Sequence, residues 1–231
     1  MDKPLVSVII PVYNGERFIA QAVNSVIAQD YRPIEIIVVD DGSIDRTADI
    51  LGSIQGIQYI YQENQGHGAA KNKGIEAADG SYLAFLDADD LWEPDKLSQQ
   101  IEHMTRNPQY GFVICNMKNF LETGTPMPDY MDKTDFDIES PGYIPSCMLI
   151  RKQAFHHVGN FNPELTNAND IDWCFRAKDA GIEMGIINKC LVRRRIHKSN
   201  LSHHRSPGSD SVQEMFSVLR ASTHRKRENK S

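Results

Sequence analysis

Three carboxylates fall within the four residues Asp87–Asp90, directly after the apolar stretch 82–86. A second acidic pair, Asp40 and Asp41, follows another apolar stretch, 34–39. Carboxylates this close repel each other unless a cation or a hydrogen-bond donor lies between them. Oxygen ligands without a nearby Cys or His pair favour Mg²⁺ or Mn²⁺ over zinc. The spacing therefore predicts a Mg²⁺ or Mn²⁺ site that serves a nucleotide diphosphate, and helix capping is the alternative for each cluster.

The stretches that must position these carboxylates alternate between strand and helix patterns. Strands are expected over 6–12, 34–39, 57–61 and 82–86, and helices over 16–29, 46–51 and 68–78. Such alternation predicts an α/β fold with a mostly parallel central sheet and flanking helices. Ligands bind beyond the carboxyl ends of strands in such sheets. We therefore expect Pro11, Tyr13 and Asn14 to share one sheet edge with both acidic clusters.

The second half of the chain is less regular. A helix over 94–104 is followed by expected strands over 111–116, 144–151 and 182–192 and helices over 152–158 and 170–180. The polar stretch 122–141 is expected to be a surface loop. Because no internal repeat or linker interrupts the pattern, we predict one domain over 1–207 and a separate tail over 208–231.

Composition narrows the function classes. With 40% hydrophobic and 24% charged residues among 231, the chain can bury a core and is not disordered. No apolar run approaches the roughly 20 residues of a membrane span. The chain shows no signal-peptide pattern, and its four cysteines lack CxxC spacing, so a cytoplasmic protein with reduced thiols is expected. The net charge of −6 comes from an acidic body, which argues against nucleic acid as a partner.

No phosphate-binding glycine loop accompanies the acidic clusters. The pattern GxxxxGK[ST] does not occur, and the stretch 66–68 (GHG) lacks the third glycine and the placement that a dinucleotide fold requires. The phosphates of a bound nucleotide would therefore be neutralised by the predicted ion.

Six spaced segments read SVIIPVYN (7–14), IIVVDDGSIDRT (36–47), AAKNKGIEAADGSYLAFLDADD (69–90), GNFNPEL (159–165), NDIDWCFR (169–176) and RIHKSNLS (195–202). In this order they closely resemble glycosyltransferase family 2, the GT-A fold. The resemblance implies a nucleotide-binding first half, an acceptor-binding second half, and transfer of a sugar from a nucleotide-sugar donor with inversion and a divalent cation.

The resemblance also implies nucleotide-binding roles. Pro11, Tyr13 and Asn14 would line the base, with Tyr13 as the aromatic platform. Asp40 would accept a hydrogen bond from the base, which is uracil in most of the family. Lys71 stands where the family usually has an arginine near the base and phosphates, and a lysine keeps the charge without the planar fork.

The Asp87–Asp90 stretch corresponds to the family's DxD element. The resemblance implies that Asp87 lies near the ribose, that Asp89 is the first metal ligand, and that Asp90 is an additional candidate ligand. Arg195 and His197 match an Arg-x-His element near the diphosphate, which makes His197 a further metal candidate. A lone histidine is otherwise more often a packing or surface residue.

The general base implied by the resemblance is Asp170. It aligns with the aspartate of a Glu-Asp pair, but here Asn169 replaces the glutamate. Asp170 and Asp172 also stand near the start of a predicted helix, where the helix dipole favours carboxylates in any case. Asp172 and Trp173 are further candidates for acceptor contacts, although packing is the alternative for Trp173.

Two other function classes remain open. A catalytically impaired nucleotide-sugar-binding module would explain Lys71 and Asn169. A nucleotidyltransferase would share the sheet and the metal, but it would need a basic, glycine-rich loop after the first strand. The expected partners are a nucleotide sugar, UDP-linked by family frequency, and a glycan or lipid-linked acceptor.

The C-terminal residues 193–231 carry 10 basic and 3 acidic side chains. Val212, Met215, Phe216 and Leu219 fall at helical spacing and predict an amphipathic helix over 209–221. One possibility is that this helix packs on the domain. The other is that the helix and its basic end contact an anionic membrane surface, which would place the protein at the inner face of the cell membrane.

Overall fold

A computed structural model describes residues 3–200 and 210–228, and within the last helix the side chains of 213–225. The strands are β1 (Val6–Val12), β2 (Ile34–Asp40), β3 (Gln58–Tyr61), β4 (Tyr82–Phe85), β5 (Leu91–Trp92), β6 (Tyr110–Leu121), β7 (Ser140–Pro141), β8 (Met148–Arg151) and β9 (Glu183–Ile196). The helices are α1 (Ile19–Ile27), α2 (Thr47–Gly52), α3 (His67–Glu76), α4 (Lys96–Arg106), α5 (Lys152–Val158), α6 (Asn169–Asp179) and α7 (Asp210–Glu228). Short 3₁₀ turns span Lys133–Phe136 and Pro145–Cys147.

The strands form one sheet in the order β3-β2-β1-β4-β8-β6-β9-β5, with β7 beside β6. Strands β3, β2, β1 and β4 are parallel to one another. Strand β8 runs antiparallel to both β4 and β6, whereas β6 and β9 are parallel. The predicted α/β class is confirmed, and the sheet is parallel in its first half and mixed in its second.

The helices cover both faces of the sheet. One buried cluster joins β1 to α1, α2 and α4, and includes Val8, Val23 and Leu97. The other joins the opposite face to α3, α5 and α6, and includes Ile9 and Trp173. Because β1 is covered on both faces, all seven of its residues are buried, as expected for a central parallel strand.

Two boundaries differ from the sequence prediction in a way that affects the site. Strand β6 continues to Leu121, and β9 continues to Ile196, because the two strands pair with each other over this whole length. Register shifts near Cys115 and Asn116 mark an irregularity in that pairing. The extended end of β9 carries three arginines toward the loop that follows β4.

Helix α7 packs against α6 through a face that includes Val218 and Ser222, both of which are buried. The helix is longer than the predicted 209–221. The predicted boundary between 207 and 208 and the side chain of Val212 lie outside the described residues. Within the described part of the chain, every helix is too short or too polar to cross a lipid bilayer.

Candidate functional site

A cleft of about 620 Å³ opens at the edge where the parallel strands end. Its lining comes from the loop after β1, the loop after β4, the starts of α3 and α6, and the end of β9. Two of its sides recur below. The β9 wall consists of Asp89, Arg194, His197 and Asn200, and the α6 wall consists of His67, Asp87, Asn169 and Asp170.

The loop after β1 brings Pro11, Tyr13 and Asn14 to the cleft, as the strand pattern predicts. The Tyr13 side chain is 52% exposed, so its ring is available to a planar ligand. Asn14 adopts a φ of 51°, a left-handed conformation that asparagine tolerates better than most residues. Its amide donates to Ser43 Oγ, and its Oδ1 accepts from the amide of Ile44, so the β1 and β2 loops hold each other.

Asp40 does not face the cleft. It is fully buried, its Oδ1 accepts from the amide of Ser43 at 2.8 Å, and its Oδ2 accepts from the Tyr59 hydroxyl at 2.9 Å. Burial and this hydrogen bond raise the pKa of Tyr59 to about 12. This geometry corrects the prediction that Asp40 binds the base.

Asp41, the next residue, lines the cleft, although its side chain is also buried. Its carboxylate accepts hydrogen bonds from Gln62 Nε2 and from the amides of Gln65 and Gly66. Gly66 has a φ of 92° and begins the turn into α3, so Asp41 fixes the position of His67. A signal was present in the pair of adjacent aspartates, but alternation along a strand that is buried on both faces does not show which one faces a ligand.

The loop after β4 points its aspartates in two directions. Asp87 and Asp89 line the cleft with partly exposed side chains. Asp90 lines the same opening but is 2% exposed, and both of its oxygens are engaged: Oδ2 accepts from Ser146 Oγ at 2.9 Å and Oδ1 accepts from the Arg195 amide at 3.0 Å. Burial and the neighbouring Asp89 and Asp87 raise the pKa of Asp90 well above its ordinary value. Asp90 therefore joins the loop to β9, which corrects its prediction as a metal ligand.

Asp89 and His197 meet on the β9 wall. His197 Nε2 lies 2.8 Å from Asp89 Oδ2, and Asn200 Nδ2 donates to the same oxygen at 3.0 Å. The His197 ring packs against Phe18, with centroids 4.7 Å apart, which fixes its plane. Asn200 was not predicted as a site residue, although it lies within the RIHKSNLS segment.

The described residues fit a cation held partly by its ligand. They contain no group of three or more His, Cys, Asp or Glu side chains arranged to hold a metal by themselves. Asp89 and His197, however, have the separation of roughly 3 Å that neighbouring ligands of one Mg²⁺ show. Magnesium commonly takes only one or two protein ligands and completes its shell with phosphate oxygens and water. The donor set therefore fits such an ion bound together with a diphosphate.

Arg195 lies behind the β9 wall instead of in the cleft. Its guanidinium stacks between Phe18 and Phe120 and donates to the Asp89 carbonyl, Gln21 and Glu122. Its guanidinium thus joins the loop after β4 to α1 and to the end of β6, which corrects its prediction as a diphosphate ligand. Arg194, one residue earlier, lines the cleft, and sequence reasoning missed it.

Lys71 lies behind the α6 wall, fully buried. Its Nζ donates to Asn169 Oδ1 at 2.5 Å and lies 4.3 Å from the centre of the Phe161 ring. Burial lowers the pKa of Lys71, against the opposing effect of the Asp170 and Asp87 charges. Direct binding of the base or phosphates by Lys71, as predicted, does not agree with this position. Lys71 can act only through the residues in front of it.

Asp170 stands in the first turn of α6 and lines the cleft. Its partly buried position raises the pKa of its carboxyl, whereas the Lys71 cation acts to lower it. A carboxylate with a raised proton affinity is suited to accept a proton from a substrate. Asn169 adds no charge, and it supports this turn by donating from Nδ2 to the Leu165 carbonyl at 3.0 Å.

Asp87 faces both the Lys71 charge and His67. Its Oδ1 is buried, lies 3.4 Å from His67 Nε2 and has no hydrogen-bond partner in the described part of the chain. Burial alone would raise the pKa of Asp87, but His67 and Lys71 outweigh it and hold the pKa below its ordinary value. An ionised oxygen without a partner at the cleft is an expected acceptor for a ligand hydroxyl. His67 is another residue that sequence reasoning missed.

Asp172 and Trp173 do not contribute to the cleft. Asp172 pairs with Arg176 at 2.8 Å on the far side of α6. Trp173 is fully buried, stacks on Phe155 and donates from Nε1 to the Gly159 carbonyl. Their prediction as acceptor contacts is corrected, because the helical period turns Asp172 away from Asp170 and because Trp173 is buried against Phe155 in the core.

A cleft beyond the carboxyl ends of parallel strands, in a sheet covered on both faces by helices, is the usual ligand site of an open α/β fold. The sequence over residues 7–159 matches the model of Glycosyl transferase family 2, and the chain belongs to this family. The resemblance predicted from the six segments is confirmed.

Similar proteins with glycosyltransferase names agree with this assignment. The glycosyltransferase TuaG of Bacillus subtilis, named for teichuronic acid biosynthesis, is 32% identical over 209 residues, which cover 87% of this chain and 82% of TuaG. The glycosyltransferase EpsH of Bacillus subtilis is 34% identical, with 87% of this chain and 63% of EpsH covered. A glycosyltransferase of Rickettsia conorii is 35% identical. The matched region covers 76% of this chain but only 32% of that relative's length.

The structure of residues 1–349 of Staphylococcus aureus TarS in complex with UDP superposes with a TM-score of 0.73 at 20% identity, covering 95% of this chain and 64% of that fragment. A TarS complex with UDP-GlcNAc gives a TM-score of 0.72. At this level of identity the likeness shows a shared fold.

Proposed function

We propose that the protein transfers a sugar from a UDP-linked donor to a hydroxyl of a glycan or lipid-linked acceptor, with inversion and with Mg²⁺ or Mn²⁺. The observation that carries the proposal is that Asp170 and the Asp89–His197 pair line one cleft. A base and a diphosphate site must face each other across the anomeric carbon in a single displacement. Family membership and the TarS complexes with UDP and UDP-GlcNAc support this choice.

In the proposed reaction, Asp170 accepts the proton of the acceptor hydroxyl as its oxygen forms a bond to the anomeric carbon. The bond from that carbon to the diphosphate breaks, and the nucleoside diphosphate leaves with the electron pair. Asp89 and His197 would hold the ion, which supplies Lewis-acid stabilisation of the leaving diphosphate when bound. Tyr13 offers its ring to the base, and the Asp87 carboxylate accepts from a ribose hydroxyl.

A panel of donors tests the proposal directly. Purified protein is incubated with UDP-, dTDP- and GDP-sugars, Mn²⁺ and candidate acceptor glycans, and free nucleotide is measured. We expect release of UDP from at least one donor. A chain that binds UDP but releases none from any donor would instead be the catalytically impaired binding module, and transfer of a nucleotidyl group would indicate the other alternative.

Membrane contact is a second, separable part of the proposal. Met215, Phe216 and Leu219 on α7 are 42%, 58% and 42% exposed and face away from α6, whereas Val218 is buried against the domain. Arg220, also exposed, adjoins them, and the surrounding segment is basic. We propose that this face rests reversibly on an anionic bilayer at the inner face of the cell membrane, close to a lipid-linked acceptor.

Co-sedimentation with vesicles that contain phosphatidylglycerol tests the contact. The triple variant M215S/F216S/L219S is expected to pellet less than the unaltered protein at low salt, and high salt should release both. Equal pelleting of the two proteins would remove the membrane from the proposal and leave the reaction untouched.

A further inference from the structure

Helix α7 lies outside the stretch that matches the family and still reaches the loop in front of the candidate base. The Glu214 carboxylate accepts three backbone hydrogen bonds: Oε1 from the Thr166 amide at 3.0 Å, and Oε2 from the Asn167 amide at 2.8 Å and the Ala168 amide at 3.2 Å. Thr166 and Asn167 line the cleft. One side chain of α7 therefore holds a segment of the cleft wall.

Two of these amides, from Thr166 and Asn167, lie just before α6, and the third belongs to its N-cap residue Ala168, so none of them has a partner within the helix. Ala168 is the residue before the helix, and it has no side chain able to cap the free N–H groups. A carboxylate at this end is favoured by its charge and by the helix dipole. Glu214 thus caps α6 from another helix, 46 residues further along the chain than Ala168.

The loop is held from its other side as well. Asn169 accepts a hydrogen bond from Lys71 at its Oδ1 and donates one from Nδ2 to the Leu165 carbonyl. Asp170 is the next residue. Its position is therefore set by a turn whose amides bind Glu214 and whose Leu165 carbonyl binds Asn169. Since a catalytic base displaced by about 1 Å can lose roughly 100-fold in rate, the turn must not drift.

A second attachment lies at the opposite end of α6 and provides a control. Asp179 accepts from Ser222 Oγ at 3.1 Å and from Arg225 Nε at 2.8 Å. These contacts dock α7 without touching the 165–170 segment. Loss of docking in general can therefore be separated from loss of the cap.

We propose that Glu214 is a positioning residue that caps the 166–168 loop and thereby fixes Asp170 for proton transfer. This inference rests on the proposed function for its catalytic consequence. It places the C-terminal helix within the working enzyme, because a chain that lacks α7 would lose the group that orders its base.

Glu214→Gln is the test, because it keeps the size of the side chain but replaces one of the two acceptor oxygens with an NH₂ group, which cannot accept a hydrogen bond from an N–H. Ser222→Ala is the matched control. We expect E214Q to accelerate hydrogen exchange at the amides of 166–168 by about tenfold or more and to lower kcat by about tenfold or more. The donor KM and the UDP affinity should change less than about twofold, and S222A should leave all four values near those of the unaltered protein.

Three outcomes would overturn the inference. Unchanged exchange in E214Q would mean that the cap does not hold the loop. Faster exchange with unchanged kcat would mean that the loop does not position Asp170. Equal losses in E214Q and S222A, with equal falls in Tm, would mean that α7 stabilises the fold in general.

If the unaltered protein turns over no donor, the proposed function fails, and the pKa of Asp170, followed by NMR, replaces kcat as the measurement. A shift of this pKa in E214Q alone supports the inference, and no shift overturns it.

Discussion

The two walls of the cleft hold their charges by different means. On the β9 wall, Asp89 is in direct contact with His197 and Asn200, and Arg195 fastens its backbone from behind. On the α6 wall, Asp170 makes no such direct pair that the structure records, and Lys71 acts on it from a buried position across Asn169. The direct contacts of the first wall suit the proposed cation and diphosphate site, and the raised pKa on the second suits the proposed base.

The α6 wall should therefore carry the largest catalytic effect. Asp170→Asn keeps the shape of the side chain and removes the group that accepts the proton, so we expect transfer to fall by about 10²–10⁴-fold. UDP binding, measured by calorimetry with Mn²⁺, should stay within about threefold, because the proposed diphosphate site is on the β9 wall. Full activity in D170N would refute the assignment of the base.

The β9 wall should show the reverse pattern. Asp89→Ala is expected to weaken Mn²⁺-dependent UDP binding by roughly 10–100-fold and to have little effect on binding measured without metal. Calorimetric titrations with and without Mn²⁺ check this difference. If the variant bound UDP equally well in both titrations as the unaltered protein does, the ion would not be held at Asp89.

Asp90 is the matched neighbour that sharpens this result. Asp90→Ala removes two buried hydrogen bonds, from Ser146 and from the Arg195 amide, so we expect a loss of about 1–3 kcal/mol in the free energy of unfolding. Asp89→Ala should cost less stability than that, since Asp89 is partly exposed. Urea unfolding of both variants makes the comparison, and an equal loss would contradict the division of roles within the loop.

Much of this cleft could be predicted from sequence, because strand ends and acidic clusters are local signals. The edge that gathers Tyr13, Asp87 and Asp89 follows from the β–α alternation alone. Which of two neighbouring residues faces the cleft could not be predicted in the same way. Asp41 lines the cleft instead of Asp40, and Arg194 instead of Arg195. Both strands involved are partly or fully buried on two faces, so hydrophobic alternation does not mark the side that a ligand meets.

Contacts between distant segments were also beyond reach of sequence patterns. The apolar residues Met215, Phe216 and Leu219 are spaced as a packing face, yet Val218 and the polar residues Glu214 and Ser222 make the contact with the domain. Helix α7 is therefore docked partly by hydrogen bonds, among them those to the amides before α6, and the spacing of its apolar residues does not reveal this face. Such a cap has no sequence signature, because its two halves are far apart in the chain.

The smallest effect that distinguishes the walls is a shift in pH dependence. Asp170 must be ionised to act as the base, and burial raises its pKa while the Lys71 cation lowers it. Lys71→Met keeps the length and apolar packing of the side chain but removes the charge, so the pKa of Asp170 rises further and the acidic limb of kcat/KM moves to higher pH. Relative to the unaltered protein, we expect an additional loss of roughly two- to fivefold near pH 5 that disappears toward pH 8. A loss that is the same at every pH would instead show that Lys71 serves the α6 wall through its hydrogen bond to Asn169 alone, and an acidic limb moved to lower pH would contradict the electrostatic role altogether.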